Sequence, residues 1–360
     1  MSGHDAKEEL IRVGYDASNR ERAGSFIQSD GRVDFTGSFQ EGVEILAIEE
    51  ALKKYPEVSE RYYGKAFAKL GREFDPATEG GYFIRVRAGV KTAFPVQACL
   101  WLKSKNFRQK VHNVIVVEEG AEAYLLTGCT SAKAAHEGYH LGLSEFFVHK
   151  NAFLNFTMIH SWKKDVDVEP RSVAIVEEGG SFLSNYICLQ PVRTITMYPT
   201  CLLEGAGGRA RFNSIILSYP GSLQDIGSRV ILAAKGTSAE IIARTVSKGG
   251  TIISRGHLKG MSPGIKAHLE CRGLMLTEEG RIHAIPELET LYEDVEMSHE
   301  AAIGRIRKDD IEYLASRGIP EDEAQSLIIR GFMDVKILGL PPLLEQEIAR
   351  AASASLSDTF

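Results

Sequence analysis

Val116-Val-Glu-Glu-Gly120 and Ile175-Val-Glu-Glu-Gly179 are near copies: a β-branched run, two carboxylates and a glycine. A Gly or Asn turn followed at once by an alternating strand recurs at Gly120, Asn151, Gly180, Gly208, Gly236 and Gly264. The gaps are 31, 29, 28, 28 and 28 residues. Weak self-similarity at a nearly fixed period marks a repeat architecture. Strand residues dominate each unit and no unit holds a convincing helix, which excludes helical solenoids. A propeller blade needs four strands in roughly 40–45 residues. A unit of 28 residues fits two strands and two turns, one coil of a flattened parallel β-helix, with coils about 4.8 Å apart. On pattern alone an irregular antiparallel sandwich is the alternative.

Outward from this core the grammar changes twice. Residues 1–80 read as a mostly helical region. Gln40 to Tyr55 is its clearest helix, with an apolar stripe of Val43, Ile45, Leu46 and Leu52 and a charged face of Glu49, Glu50, Lys53 and Lys54. Val58 to Phe74 is a second candidate. From residue 81 short β-rich runs take over, such as Tyr82-Phe-Ile-Arg-Val-Arg87 and Val114-Ile-Val-Val117, and the β-solenoid is expected over 81–298. Residues 299–360 read as a helical domain. Asp309 to Ser316 forms a helix ended by Gly318. Pro320-Glu-Asp-Glu323 opens another, with proline near its first position and acids in its first turn. Its stripe is Ala324, Leu327, Ile328, Gly331, Phe332 and Val335. Pro341-Pro342 precedes a last short helix and a fraying tail.

The bulk properties narrow the function. The 360 residues carry 44% hydrophobic and 25% charged residues, the profile of a soluble globular protein. A formal charge of -6 argues against a general nucleic-acid binder. The N-terminus lacks an apolar signal region, and no run is long and apolar enough to span a membrane. Five scattered cysteines do not suggest a disulfide framework, so a reducing cytoplasm is expected. No phosphate-binding loop of the Gly-x-x-x-x-Gly-Lys-(Ser/Thr) kind occurs, so any nucleotide hydrolysis would belong to another chain. Gly205-Ala-Gly-Gly208 reads as a solenoid turn. His136-Glu-Gly-Tyr-His140 matches the zinc-protease pattern literally. Its internal glycine and strand-like flanks favour a solvent-facing loop instead of a metal-binding helical turn.

The densest chemistry lies in His268-Leu-Glu-Cys-Arg-Gly-Leu-Met-Leu-Thr-Glu-Glu-Gly-Arg-Ile-His-Ala-Ile-Pro-Glu-Leu-Glu289 and Met297-Ser-His-Glu-Ala-Ala-Ile-Gly304. One thiol, several carboxylates and three imidazoles share a strand-like run, without the paired cysteines of a closed zinc site. Period-2 alternation puts Cys271 and Leu269 on one face and His268 and Glu270 on the other. Partners for Cys271 must come from the next strand or another subunit.

This stretch resembles the end of the core domain of the SufB/SufD family, scaffolds of iron–sulfur cluster assembly. A Cys-led strand, a Pro-x-x-Glu and a Ser-His-(Glu/Gly)-Ala follow in that order. The resemblance covers roughly residues 80–340. It implies a right-handed parallel β-helix and a transient iron–sulfur cluster as cargo. It places cluster assembly on Cys271, Glu289, His299 and Glu300. Glu300 follows the SufB pattern and His299 matches both members, which suggests one scaffold acting as a homodimer. Leu126-Thr-Gly-Cys-Thr-Ser-Ala132 resembles the segment carrying SufB's sulfur-accepting cysteine, which points to Cys129 and to a sulfur donor protein. His160 and Trp162, in Met158-Ile-His-Ser-Trp162, sit where the family lines its interior sulfur path. Ile311-Glu-Tyr-Leu-Ala-Ser-Arg-Gly318 and its acidic turn resemble the region that docks the SufC ABC-type ATPase. That implies partner contacts from Ile311, Tyr313, Leu314, Leu327, Ile328 and Phe332, and no ATPase activity in this chain. Cys99 and Cys188 read as core residues; Cys201 has a SufB-like context without an assigned role. A polysaccharide-active β-helix enzyme and a purely structural solenoid remain the competing functions.

Overall fold

The computed structural model describes residues 9–15, 21–72, 78–133 and 135–333. The repeat resolves into a β-solenoid of about eight turns. Each full coil contributes one strand to each of two sheets. The first sheet runs β1 (Gly24–Ser29), β5 (Val96–Leu102), β7 (Glu122–Ser131), β9 (Phe153–Ser161), β11 (Ser181–Cys188), β14 (Arg209–Ser218), β16 (Ser238–Ser247), β18 (Ile265–Met275) and β20 (Val295–Gly304), all parallel. The second runs β4 (Tyr82–Val86), β6 (Arg108–Val117), β8 (Tyr139–Val148), β10 (Asp167–Val176), β12 (Thr194–Met197) with β13 (Thr200–Leu203), β15 (Leu223–Leu232), β17 (Thr251–Gly260) and β19 (Arg281–Thr290). β12 and β13 are one strand broken at Tyr198-Pro199, because proline has no N–H to give to the ladder.

The corners explain the period. Gly120, Asn151, Gly179, Gly207, Gly236 and Gly264 all have positive φ, between 54° and 70°. Glycine and asparagine tolerate that left-handed conformation best. Two of these turns thus fall one residue before the expected Gly180 and Gly208. The corners also stack: the N–H of Gly120 donates to Lys150 (2.9 Å), Asn151 to Glu178 (2.8 Å), Gly179 to Ala206 (2.9 Å) and Gly207 to Lys235 (3.0 Å). Gly205 belongs to such a turn, as its sequence suggested. A Cβ there would lie 1.9 Å from the Glu178 backbone nitrogen of the preceding coil.

Side chains at every second position fill the interior. Phe146, Phe156, Phe182 and Phe212 form a continuous aromatic stack with ring centroids 4.7–5.8 Å apart. Such tilted contacts add to the free energy of burial.

The N-terminal region departs from its mostly helical expectation. β1 and β2 (Arg32–Ser38) form an antiparallel hairpin at the edge of the first sheet. β3 (Val43–Ala47) pairs antiparallel with β4 at the edge of the second. The helix expected from Gln40 is therefore confined to Ile48–Lys54. Val43 and Ile45 are buried on the interior side, and the open edge of β4 offered them a ladder, which overrides local helix pattern. Val58–Tyr62 is a π-helical turn and Lys65–Lys69 a short helix. β20 extends the solenoid to Gly304, past the expected boundary at 298. Beyond it, the expected helices are present as Lys308–Ser316 and Glu321–Met333. Val335, Pro341-Pro342 and the tail lie outside the described residues.

Part of each outer face is covered. Ile329 and Met333 of the last helix pack with Ile159, Ile187, Ile215 and Leu217 on the first sheet. Ala66 and Phe67 pack with Leu141, Leu143, Val173 and Ile175 on the second. This second cover is fastened by the buried Glu145 of β8. Its carboxylate accepts from the backbone N–H of Gly64 (2.5 Å) and Ala66 (2.7 Å) and pairs with His112 Nε2 (2.7 Å). Glu145→Ala removes an acceptor shared by several buried donors, so urea unfolding should show a loss of about 3 kcal/mol. Glu145→Gln keeps part of the set and should lose less.

Candidate functional site

Cys271 points into the solenoid from β18 and is 3% exposed. The alternation read from the sequence holds: Leu269 and Cys271 face inward, His268 and Glu270 outward. Across the interior, the Ser254 hydroxyl of β17 lies 4.0 Å from the Cys271 sulfur. Burial raises the thiol's pKa, and the Ser254 hydrogen bond partly offsets this. Gly256, on the same strand as Ser254, makes room for Leu269; a Cβ there would meet Leu269 Cδ1 at 1.9 Å. Cys271 thus sits in a packed crevice of the last full coil.

The four expected cluster residues divide. β20 places His299 beside Leu269 and Ala301 beside Cys271, so His299 shares the inward face with the thiol. Glu300 pairs with Glu270 and lies on the opposite, outer face, 3.9 Å from Arg272. Glu289 pairs in register with Lys259 on the outer face of the second sheet. There it binds Lys259 Nζ at 2.7 Å and His257 Nε2 at 3.3 Å. The Lys259 hydrogen bond is the main cause holding its carboxyl below the usual range. Among the described residues no three His, Cys, Asp or Glu side chains converge to hold a metal ion. Within one chain, then, the buried Cys271 and the exposed His299 share the inward face of neighbouring strands, while Glu289 and Glu300 stand on outer faces.

Among the described residues no strand follows β19 or β20 in either sheet, which leaves this end of the solenoid open. Leu288, Leu291, Tyr292 and Ile303 are exposed there, Leu291 to 97%.

A second constellation lies deeper. Cys129 of β7, His160 of β9 and Cys188 of β11 are direct register partners in one inward row. Burial pushes the Cys129 thiol well above its ordinary range and Cys188 up to about 12. The Tyr186 hydroxyl is 2.9 Å from His160 Nδ1, and the ring of Trp162 lies 5.4 Å from that of His160. From the facing sheet His140 approaches Trp162 at 5.0 Å and bonds Gln109 through Nδ1 at 2.8 Å. Burial drives the His140 pKa down to about 3 and His160 well below the ordinary value. Both imidazoles are neutral at pH 7. Further along the interior a cavity of about 30 Å³ is lined by Ser144, Ser172, Ser184, Ser214, Ser228, Met158 and Tyr186. It holds about one water-sized molecule. Cys271 is five strand steps from Cys129, about 24 Å along the axis.

The zinc-protease pattern dissolves in the structure. His136 lies in a loop and bonds Asp165 at 2.9 Å, whereas His140 is a buried strand residue. The two never share a helical turn. His140, Gln109, Tyr186 and Cys188 are members of the interior cluster that reading by motif missed. The separations of 31 and 28 residues between Cys129, His160 and Cys188 equal the coil period; that spacing was the available signal. Cys201 is an interior core residue, and Cys99 lies under the outer cover near Val13.

Of the expected docking residues, Tyr313 is 60% and Leu327 44% exposed. Ile311, Leu314, Ile328 and Phe332 are half-buried, Phe332 against the outer cover of the first sheet. No described helix is long and apolar enough to cross a membrane.

Comparison with known proteins converges on one family. Residues 100–332 match the family model described as SUF system FeS cluster assembly, SufBD core domain. An iron-sulfur cluster assembly SufBD family protein of Archaeoglobus fulgidus is 49% identical, over 98% of this chain and 95% of its own length. A protein of the same description from Methanothermobacter thermautotrophicus strain Delta H is 42% identical over 98% of this chain and 88% of its own. Another from Pyrococcus horikoshii is 28% identical over 99% and 82%. A stacked two-sheet solenoid, a terminal thiol–imidazole pair and matches spanning nearly the whole chain lead to one assignment: this chain belongs to the SufBD family of iron–sulfur cluster assembly proteins.

Proposed function

We propose that this chain is the scaffold itself, a homodimer that builds a transient cluster at the open end of its solenoid. The observation carrying this is the division of the ligand set. Cys271 and His299 share the inward face of the last two strands, beside uncovered apolar side chains. Unpaired strand edges invite pairing with another chain, and a two-fold axis there doubles every ligand. One thiol per subunit, completed by imidazole or carboxylate, makes a labile site; full cysteine ligation makes durable ones. Because burial keeps the Cys271 thiol protonated, iron binding needs the end of the solenoid to open and the proton to leave to solvent.

Sulfur is received at Cys129, from a donor protein, as a persulfide. Burial of the thiol row and of its neighbouring imidazole favours a protonated, protected species. Cys188 lies two strands on, the interior Cys201 follows on the facing sheet, and no further thiol stands between Cys201 and Cys271. The sulfur therefore travels the remaining distance unattached. A dithiol reductant supplies two electrons, the S–S bond breaks, hydrogen sulfide leaves and the thiol is restored. The serine-lined cavity lies on that route. The driving partner is a SufC-like ABC ATPase held by the C-terminal helices, whose closure separates the dimer ends. That shift cannot exceed the differential affinity of nucleotide for the closed state. Its compartment is the cytoplasm.

Anaerobic reconstitution with iron and sulfide tests the scaffold reading. Wild type should gain a visible-absorbing chromophore, Cys271→Ser should lose it, and His299→Ala should weaken it. A normal cluster on Cys271→Ser sinks the assignment. Light scattering tests the dimer: Leu288→Glu with Ile303→Glu should convert it to monomer, and a wild-type monomer at micromolar concentration would refute it. Helix Glu321–Met333 covers an apolar sheet face, so truncation after Gly304 would uncover that face. Tyr313→Ala with Leu327→Glu is the cleaner probe. It should abolish co-purification with the ATPase while leaving the melting temperature unchanged.

A further inference from the structure

Cys129, read above as the sulfur acceptor, is 1% exposed, so a donor needs a way in. On its outer side the ladder of β5, β7 and β9 is continuous. Val13 also lies so close over Gly128 that a Cβ there would meet Val13 Cγ2 at 2.6 Å. Toward the N-terminal end of the interior, the buried rings of Phe26 and Tyr82 stand 5.3 Å apart, and the Tyr82 hydroxyl is held 2.9 Å from Thr127 Oγ1. Toward the C-terminal end, His160, Tyr186 and Cys188 follow. The open direction is the corner where β7 and β9 end. A pocket of about 360 Å³ lies there, with Thr130, Ser131, Ser161, Trp162, Lys164 and Pro191 on its walls.

Ser131 and Trp162 are the next inward positions after Cys129 and His160, and both are buried, at 2% and 3% exposure. Successive inward positions lie about 6.7 Å apart along a strand. One layer of two side chains therefore separates the pocket from the thiol. That layer is weakly fastened. A buried indole usually gives its N–H to a partner, but the Trp162 nitrogen has none, and neither has the Ser131 hydroxyl. Packing holds the indole, between the rings of His140 at 5.0 Å and His160 at 5.4 Å. A side chain without a polar tether turns aside by giving up packing contacts alone. The pocket has the volume of a small-molecule site. That is room for a cysteine persulfide at the tip of a loop and too little for a folded surface.

We propose that this corner pocket is the entrance through which the donor protein's persulfide reaches Cys129, with Trp162 as its gate. The proposal rests on the reading of Cys129 as the sulfur acceptor. The step needs no oxidant or reductant. The Cys129 sulfur attacks the terminal sulfur of the donor persulfide. That S–S bond breaks, a new one forms on Cys129, and the donor leaves as a thiol with the proton that Cys129 gives up. Iodoacetamide alkylation of the native full-length protein, read by peptide mass spectrometry, tests the entrance without sulfur chemistry. Trp162→Ala should speed labelling of Cys129 about tenfold, by easing local opening, and leave the interior Cys201 at its wild-type rate. Acceleration at Cys201 as well would mean that the lost indole loosens the whole core, and the opposite variant then decides. Lys164 is exposed on the pocket wall. Lys164→Cys, capped first with a biotin maleimide, should slow labelling of Cys129 severalfold with an unchanged melting temperature. The entrance is overturned if Trp162→Ala leaves Cys129 at its wild-type rate, or if the capped variant labels like wild type. Glutathione persulfide tests the acceptor itself. One added sulfur should appear on the Cys129 peptide, fastest in Trp162→Ala and slowest in the capped variant. Alkylation in that order with no sulfur on Cys129 refutes the thiol as acceptor and leaves the pocket as the way to it.

Discussion

The in-register stacking of one coil on the next governs everything else in this molecule. Each strand pairs in parallel with the strand one coil away, so a residue's lateral neighbour is the one about 28 positions later. Parallel pairing needs a return path for every strand, and here the second sheet provides it. The corners must therefore turn sharply at the same height in every coil. Residues in the left-handed conformation, with N–H groups reaching the next corner, meet that demand.

Such stacking turns sequence distance into rows. An inward row brings Cys129, His160 and Cys188 side by side although 59 residues separate the first from the last. The same geometry fixes electrostatics. Inward ionisable groups are stripped of water, which keeps the two histidines neutral and the thiols protonated. Outward groups pair across coils instead, as Lys259 does with Glu289 and Arg211 with Glu240. A solenoid of this kind has a dry inside for neutral chemistry and a charged outside for solubility, separated by a single residue step along any strand.

Stacking also leaves a problem at its ends. The N-terminal end is closed by antiparallel strands β2 and β3. The C-terminal end is not closed in the same way: its last strands carry exposed apolar side chains, and the chain's helices fold back over the outer face of the first sheet. The Cys271–His299 pair lies at this unsealed end. A buried, protonated thiol next to an uncovered edge is a group whose chemistry depends on what meets that edge.

The sequence alone determined the period, the strand alternation and the inward aim of Cys271, because side-chain direction in a strand follows local parity. It also marked the two C-terminal helices, whose caps and acidic turns are local signals. It misread Gln40–Tyr55, where Val43 and Ile45 fit a helical stripe as well as a strand and only an open sheet edge decides between them. The family resemblance grouped Cys271, Glu289, His299 and Glu300, which lie near one another in the chain. Tertiary structure set Glu289 and Glu300 apart from Cys271 and His299, because β19 and β20 belong to different sheets and a one-residue step sends a side chain to the opposite face. It joined Cys129, His160, Tyr186 and His140 for the converse reason: contact in a solenoid is set by register between coils, and proximity along the chain carries no information about it.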